Sequence, residues 1–136
     1  MLGPVSVSET LSRFVLKKDW FRPSDNSVKF AAFLANPKNG ETSVFRITGI
    51  PDKEIWHIGD REVAKDPNRP ILGRADISAS NVVEKGLEVL PSEPPERHAN
   101  IVGWPGEKSK QKLIALELAA EAHFYSRIGI PIAASV

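Results

Sequence analysis

Polar residues alternate with alanine in two short runs, Arg74-Ala75-Asp76 and His98-Ala99-Asn100. Extended backbone points every second side chain to one face, so each run presents its polar pair together. If the two runs are neighbouring strands, four functional groups converge. His98 then acts as general acid/base, Arg74 holds an anion, and Asp76 and Asn100 orient the site. Arg97 flanks it as a second anion-binding group. Trp104, between Gly103 and Pro105, offers a stacking surface for a base or a peptide. The competing explanation is the solvent-facing side of a half-buried sheet, which alternation alone also produces. For Trp104 it is a plug at a strand-to-helix corner.

Other chemistry is excluded by residue type and spacing. The chain has no cysteine, which removes disulfides, thiolate metal sites and cysteine nucleophiles. His57, His98 and His123 stand at none of the short spacings that gather metal ligands, so no metal site and no cofactor are expected. The segment Gly103-Trp104-Pro105-Gly106-Glu107-Lys108-Ser109 lies between a strand and a helix, as a phosphate loop would. Its glycine spacing is wrong, and Glu107 would repel phosphate. An ordinary helix start explains it better.

The elements that must carry these residues follow from periodicity. A helix is expected over residues 8–16, with Ser8 as N-cap and Leu11, Phe14 and Val15 at helical spacing. Residues 28–35 and 42–48 read as a hairpin around Asn36-Pro37-Lys38-Asn39-Gly40. Asp52 caps a short helix over 53–64, whose polar face holds His57, Asp60 and Arg61. Residues 71–77 form a strand, Ser78 or Ser80 caps a helix ending near Gly86, and 87–90 form another strand. Residues 98–102 are the next strand. The last helix is expected from Glu107 to about Arg127, with Leu113, Leu116, Ala120 and Phe124 on one stripe. Ile114, Leu118 and Tyr125 form a second, and Ala115, Ala119 and Ala122 a small-residue face. A helix apolar nearly all round is covered on more than one side.

The chain of 136 residues, 41% hydrophobic and 26% charged, has the balance of a globular domain. The expected fold is a single α+β domain over 1–136. It has a mixed sheet of four or five strands, with the long C-terminal helix packed on one face. A net charge of +1, spread evenly along the chain, gives nucleic acid no electrostatic support. The sequence shows neither a signal peptide nor a membrane span, so a cytoplasmic protein is expected.

The runs Ile50-Pro51-Asp52-Lys53-Glu54-Ile55-Trp56, Gly73-Arg74-Ala75-Asp76 and Arg97-His98-Ala99-Asn100-Ile101-Val102-Gly103-Trp104-Pro105 resemble short, uncharacterised bacterial proteins of similar length. That resemblance covers most of the chain and implies a bacterial stand-alone domain, with no activity attached. Two functions remain. The first is a non-catalytic interaction or accessory module that associates with itself, or with another protein, through the last helix. The second is a small metal-independent enzyme acting on RNA or a nucleotide, with His98 as its acid/base.

Overall fold

Thr10–Val15 is a strand, β1, and not the helix expected there. The computed structural model describes residues 2–127, and in it β1 lies inside a six-stranded sheet. Leu11 and Val15 join the core on one face, and Phe14 joins a second core on the other. A strand covered on both faces reads as a nearly continuous apolar run. Leu11, Phe14 and Val15 therefore mimic helical spacing. The expected domain, 1–136, extends past the described residues at both ends.

After β1 come a two-residue ribbon, β2 (Phe21–Arg22) with β3 (Ser27–Val28), and a 3-10 turn over Phe30–Ala32. Strand β4 (Thr42–Arg46) follows, then helix α1 (Asp52–Glu62), strand β5 (Gly73–Ser78) and helix α2 (Ala79–Glu84). Strands β6 (Glu88–Pro91) and β7 (His98–Val102), helix α3 (Lys108–Glu121) and strand β8 (His123–Ser126) complete the order. The sheet runs β6-β7-β4-β1-β5-β8, and every neighbouring pair is antiparallel. The α+β expectation thus holds, with six antiparallel strands in place of a mixed sheet of four or five.

Two further local expectations change. The turn at Asn36–Gly40 exists: Gly40 donates its N–H to the Asn36 carbonyl at 2.7 Å and has φ +70°. It leads out of the 3-10 turn, however, and not out of a strand. β4 pairs with β1 and β7 instead of with residues 28–35. The strand–helix–strand order over 71–90 is also real, but β7, β4 and β1 separate β6 from β5. Ser78 does cap α2, accepting from the Asn81 N–H at 3.2 Å.

The largest change is at the C-terminal end. α3 stops at Glu121, Ala122 is extended, and residues 123–126 form the edge strand β8 against β5. Phe124 packs into the core while His123 and Tyr125 are exposed. That is the period-two alternation of a strand, in residue types that favour one. On a helical wheel the same residues simulate two more apolar stripes.

The sheet is covered on both sides. One face packs Val44, Ala75, Ile77, Ala99 and Ile101 against α2, α3 and the 3-10 turn, through Val82, Ala115, Leu118 and Ala32. The other carries Phe14, Phe45 and Ile47 beneath Ile55, Trp56 and Ile58 of α1.

Candidate functional site

The sheet order decides what the four candidate residues can do together. β5 brings Arg74 and Asp76, β7 brings His98 and Asn100, and β4 and β1 lie between them. Register places His98, Phe45, Ser12 and Asp76 in one row across the α1 face. Three strand spacings separate His98 from Asp76, about 14 Å. The proposed convergence required neighbouring strands. It is replaced by two separate polar clusters.

The first cluster surrounds Arg74, which is 2% exposed. Its Nε donates to Asp76 Oδ2 at 3.3 Å, and its Nη2 donates to Asp52 Oδ1 at 3.1 Å. The guanidinium also lies over the rings of Trp56, at 4.9 Å, and Tyr125, at 4.5 Å. Burial raises the Asp76 carboxyl above its ordinary value, and the charge of Arg74 only partly opposes this. Arg74 Nη1, Asp76 Oδ1 and Ser12 Oγ are buried without a hydrogen-bond partner among the described residues. With its charge bound to two carboxylates and its planes against two rings, Arg74 knits β5, α1 and β8 together.

The second cluster contains a residue that sequence reasoning missed. His98 Nε2 lies 2.6 Å from the hydroxyl of Ser43, and His98 Nδ1 lies 2.9 Å from the Ser92 carbonyl. A carbonyl oxygen can only accept, so Nδ1 carries the proton in the neutral ring. Nε2 then presents a lone pair, and the Ser43 hydroxyl donates to it. Asn100 is the cross-strand partner of Ser43 and shares its face. Leu90, on β6, extends that row and is 47% exposed. Phe45 closes the other side, its ring edge-on to the imidazole at 5.3 Å. Ser43, His98 and Asn100 are half-buried and belong to neither apolar core. The only sequence sign of Ser43 is that it stands two residues before Phe45 in β4 and so shares its face. Its pairing with β7 could not be read locally.

Arg97 does not join either cluster through a side-chain bond. It has φ +70°, its N–H donates to Glu93 Oε2 at 2.9 Å, and its Nη1 reaches the Arg46 carbonyl at 3.5 Å. Trp104 is half-buried against the α3-side core, with its Nε1 buried and without a hydrogen-bond partner among the described residues. It fills the corner between β7 and α3. Among the described residues no group of three potential ligands gathers for a metal ion, and no helix is long and apolar enough to cross a membrane.

A different kind of site lies on α3. Its small residues face inward: Ala115 is fully buried and Ala119 is partly buried. The stripe that faces outward is Leu113, 61% exposed, Leu116, 43% exposed, and Ala120. A groove of about 410 Å³ beside Leu113 runs between α3, Gly86-Leu87 and Pro105. A second, of about 310 Å³, is lined by Leu116, Ala119, Phe30 and Phe124.

In comparison with known proteins, the chain matches no family model, no curated protein and no solved structure.

Proposed function

We propose that this chain is an interaction module that associates with itself through the outer face of α3. The observation that carries the reading is the exposed stripe of Leu113, Leu116 and Ala120. With Ser109, these positions follow the 4-3-4 spacing of a helix-pairing seam.

The charges beside the seam support a second copy as the occupant. Lys108, Lys110 and Lys112 occupy the first half of α3, and Glu117 and Glu121 the last half. That order opposes the helix dipole, which favours acids at the N-terminus and bases at the C-terminus. An antiparallel partner helix compensates it. With Leu113 opposite Leu116 of the partner subunit, the two-fold axis sets like flanks of the seam together. Lys110 and Glu117 share one flank, so Lys110 faces Glu117 of the partner subunit. Among the described residues Lys110 approaches Glu107 of its own chain at 3.6 Å, and both side chains are exposed. Lys112, on the other flank, lies over the Phe30 ring at 5.0 Å. Lys85 of α2 holds Glu121 at 2.6 Å and approaches Glu117 at 3.9 Å, which fixes the acidic end in place. A two-fold axis through the middle of α3 makes this arrangement closed and self-complementary.

Charge reversal tests it. Lys110→Glu alone and Glu117→Lys alone should each weaken the dimer in low salt, because each places like charges opposite one another twice. The double swap should restore association. Single and double variants with the same dimer affinity would overturn the antiparallel pairing.

The rival, an enzyme handling RNA or a nucleotide, needed Arg74 and His98 in one site. The 14 Å or so between their strands, and the burial of Arg74 under two rings, leave that form of it without a geometric basis. A bacterial, cytoplasmic setting accords with the sequence and is part of the proposal.

A further inference from the structure

We infer that Ser43, His98 and Asn100 form an acyl-transfer site for an uncharged carboxylic ester, independent of the α3 interface. Three features support it. The serine hydroxyl and the imidazole are within hydrogen-bond reach at 2.6 Å. The imidazole is held from its far side by the Ser92 carbonyl at 2.9 Å, in the tautomer that leaves Nε2 free to take a proton. That is the relation of nucleophile, base and orienting group required for a covalent step. The loop carrying Ser92 is itself fastened to β7, since the Ser92 N–H donates to the His98 carbonyl at 2.9 Å. The orienting group is therefore fixed relative to the base.

Asn100 supplies the third function. Its side chain forms no hydrogen bond with the described residues, yet it sits directly across from Ser43 on the same face. Its amide N–H is free to receive the oxyanion that forms when Ser43 attacks a carbonyl. Asn100, the Phe45 ring and the exposed Leu90, which neighbour the dyad, carry no charge. None of the three would hold a phosphate. Leu90, 47% exposed, suits an apolar acyl chain, so the substrate class is an ester of that kind.

The step balances without a cofactor. Ser43 Oγ bonds to the ester carbonyl carbon while its proton passes to His98 Nε2. The tetrahedral oxyanion, held by the Asn100 amide, collapses and breaks the bond to the alcohol oxygen. That oxygen takes the proton from the imidazolium and leaves as the alcohol. Water then attacks the acyl-serine, again giving its proton to His98, and the acid departs as the Ser43 hydroxyl re-forms.

The test uses the whole chain, a fluorophosphonate probe and p-nitrophenyl butyrate. Peptide mass spectrometry should place the phosphonyl adduct on Ser43 and on no other serine. Ser43→Ala should remove both the adduct and the burst of nitrophenolate. His98→Ala should slow acylation on the order of 100-fold or more, the usual scale of a general base. Asn100→Ala should slow it about 100-fold with little change in KM. If His98→Ala fails to fold, His98→Gln serves as the base-free variant. An adduct absent from folded wild-type protein, placed on another serine, or formed at the same rate without His98, overturns the inference. None of these results depends on the dimer, so the two readings fail separately.

Discussion

Arg127 grips Asp60 end-on, its two terminal nitrogens donating to the two carboxylate oxygens at 2.9 and 2.8 Å. The pair joins the residue after the edge strand β8 to the third turn of α1, and both side chains are buried. The face of Trp56 lies 4.9 Å from the same guanidinium and 4.9 Å from that of Arg74. One indole is thus flanked by two buried arginines. β8 and α1, 67 residues apart in sequence at this pair, are thereby held on one side of the sheet.

A buried ion pair is costly to break from one side because the remaining charge stays desolvated. Asp60→Ala should lower the unfolding free energy by about 3–5 kcal/mol. Asp60→Leu combined with Arg127→Met should recover much of the loss. Urea titration of the three proteins measures both effects.

Gly59 is expected to resist replacement although it sits inside a helix. Alanine there gains about 1 kcal/mol in helix propensity. Its Cβ, however, would fall 2.6 and 2.8 Å from two ring atoms of Phe14. Phe14 is buried edge-on against Phe45 and cannot swing aside. Overpacking of this kind costs about 1–3 kcal/mol. Gly59→Ala should therefore destabilise the fold on balance, read as a lower Tm. A raised Tm would show that α1 can lift away from the sheet.

Two carboxylates give the acid stability profile opposite slopes. Glu9 accepts from Arg46 Nε and Nη2, each at 2.8 Å, and Arg46 also donates to the carbonyls of Gly3 and Pro4. The Arg46 guanidinium holds the Glu9 carboxyl below its ordinary value of 4.5. That contribution is complete above the ordinary value and is lost as pH falls through the folded one. Asp76 runs the other way. Burial raises it above its ordinary 3.8, so its contribution is largest below that value and declines as pH rises through the folded one. Glu9→Gln should flatten the acid loss of stability. Asp76→Asn should leave that loss unopposed. Urea midpoints across the acid range distinguish the two, and identical profiles for both variants would contradict the assignments.

Several elements were legible because their signals are local. The 71–77 and 98–102 runs, the Ser78 cap, Gly86 and the presence of a helix after Pro51 follow from alternation and capping chemistry within a few residues. Asp52 was read as the cap of that helix, but Pro51 holds the cap position, the helix is Asp52–Glu62 rather than 53–64, and Asp52 accepts from Arg74. What failed depended on distant pairing. β1 looked helical because both its faces are covered, and β8 looked like the end of α3 because His123-Phe124-Tyr125-Ser126 continues an apolar pattern. Asp60 was read as part of a polar face, since its partner Arg127 lies far along the chain. Of the candidate cluster, His98 and Asn100 were visible by alternation. Ser43 was not, because only the β4–β7 register sets it beside them. The stripes and the small-residue face of α3 were legible, but not which of them faces outward. The small-residue face packs inward, where Ala115 lets the helix approach the core closely.

The account stands most directly on the mass of the protein in solution. Sedimentation equilibrium of the whole chain across rising concentration should approach twice the chain mass of 14.9 kDa. Leu116→Arg, which puts a charge in the middle of the seam at a position 43% exposed, should hold a folded monomer at every concentration. A wild type that remains at the single-chain mass at the highest concentration would contradict the claim, as would a Leu116→Arg protein that dimerises as well as wild type.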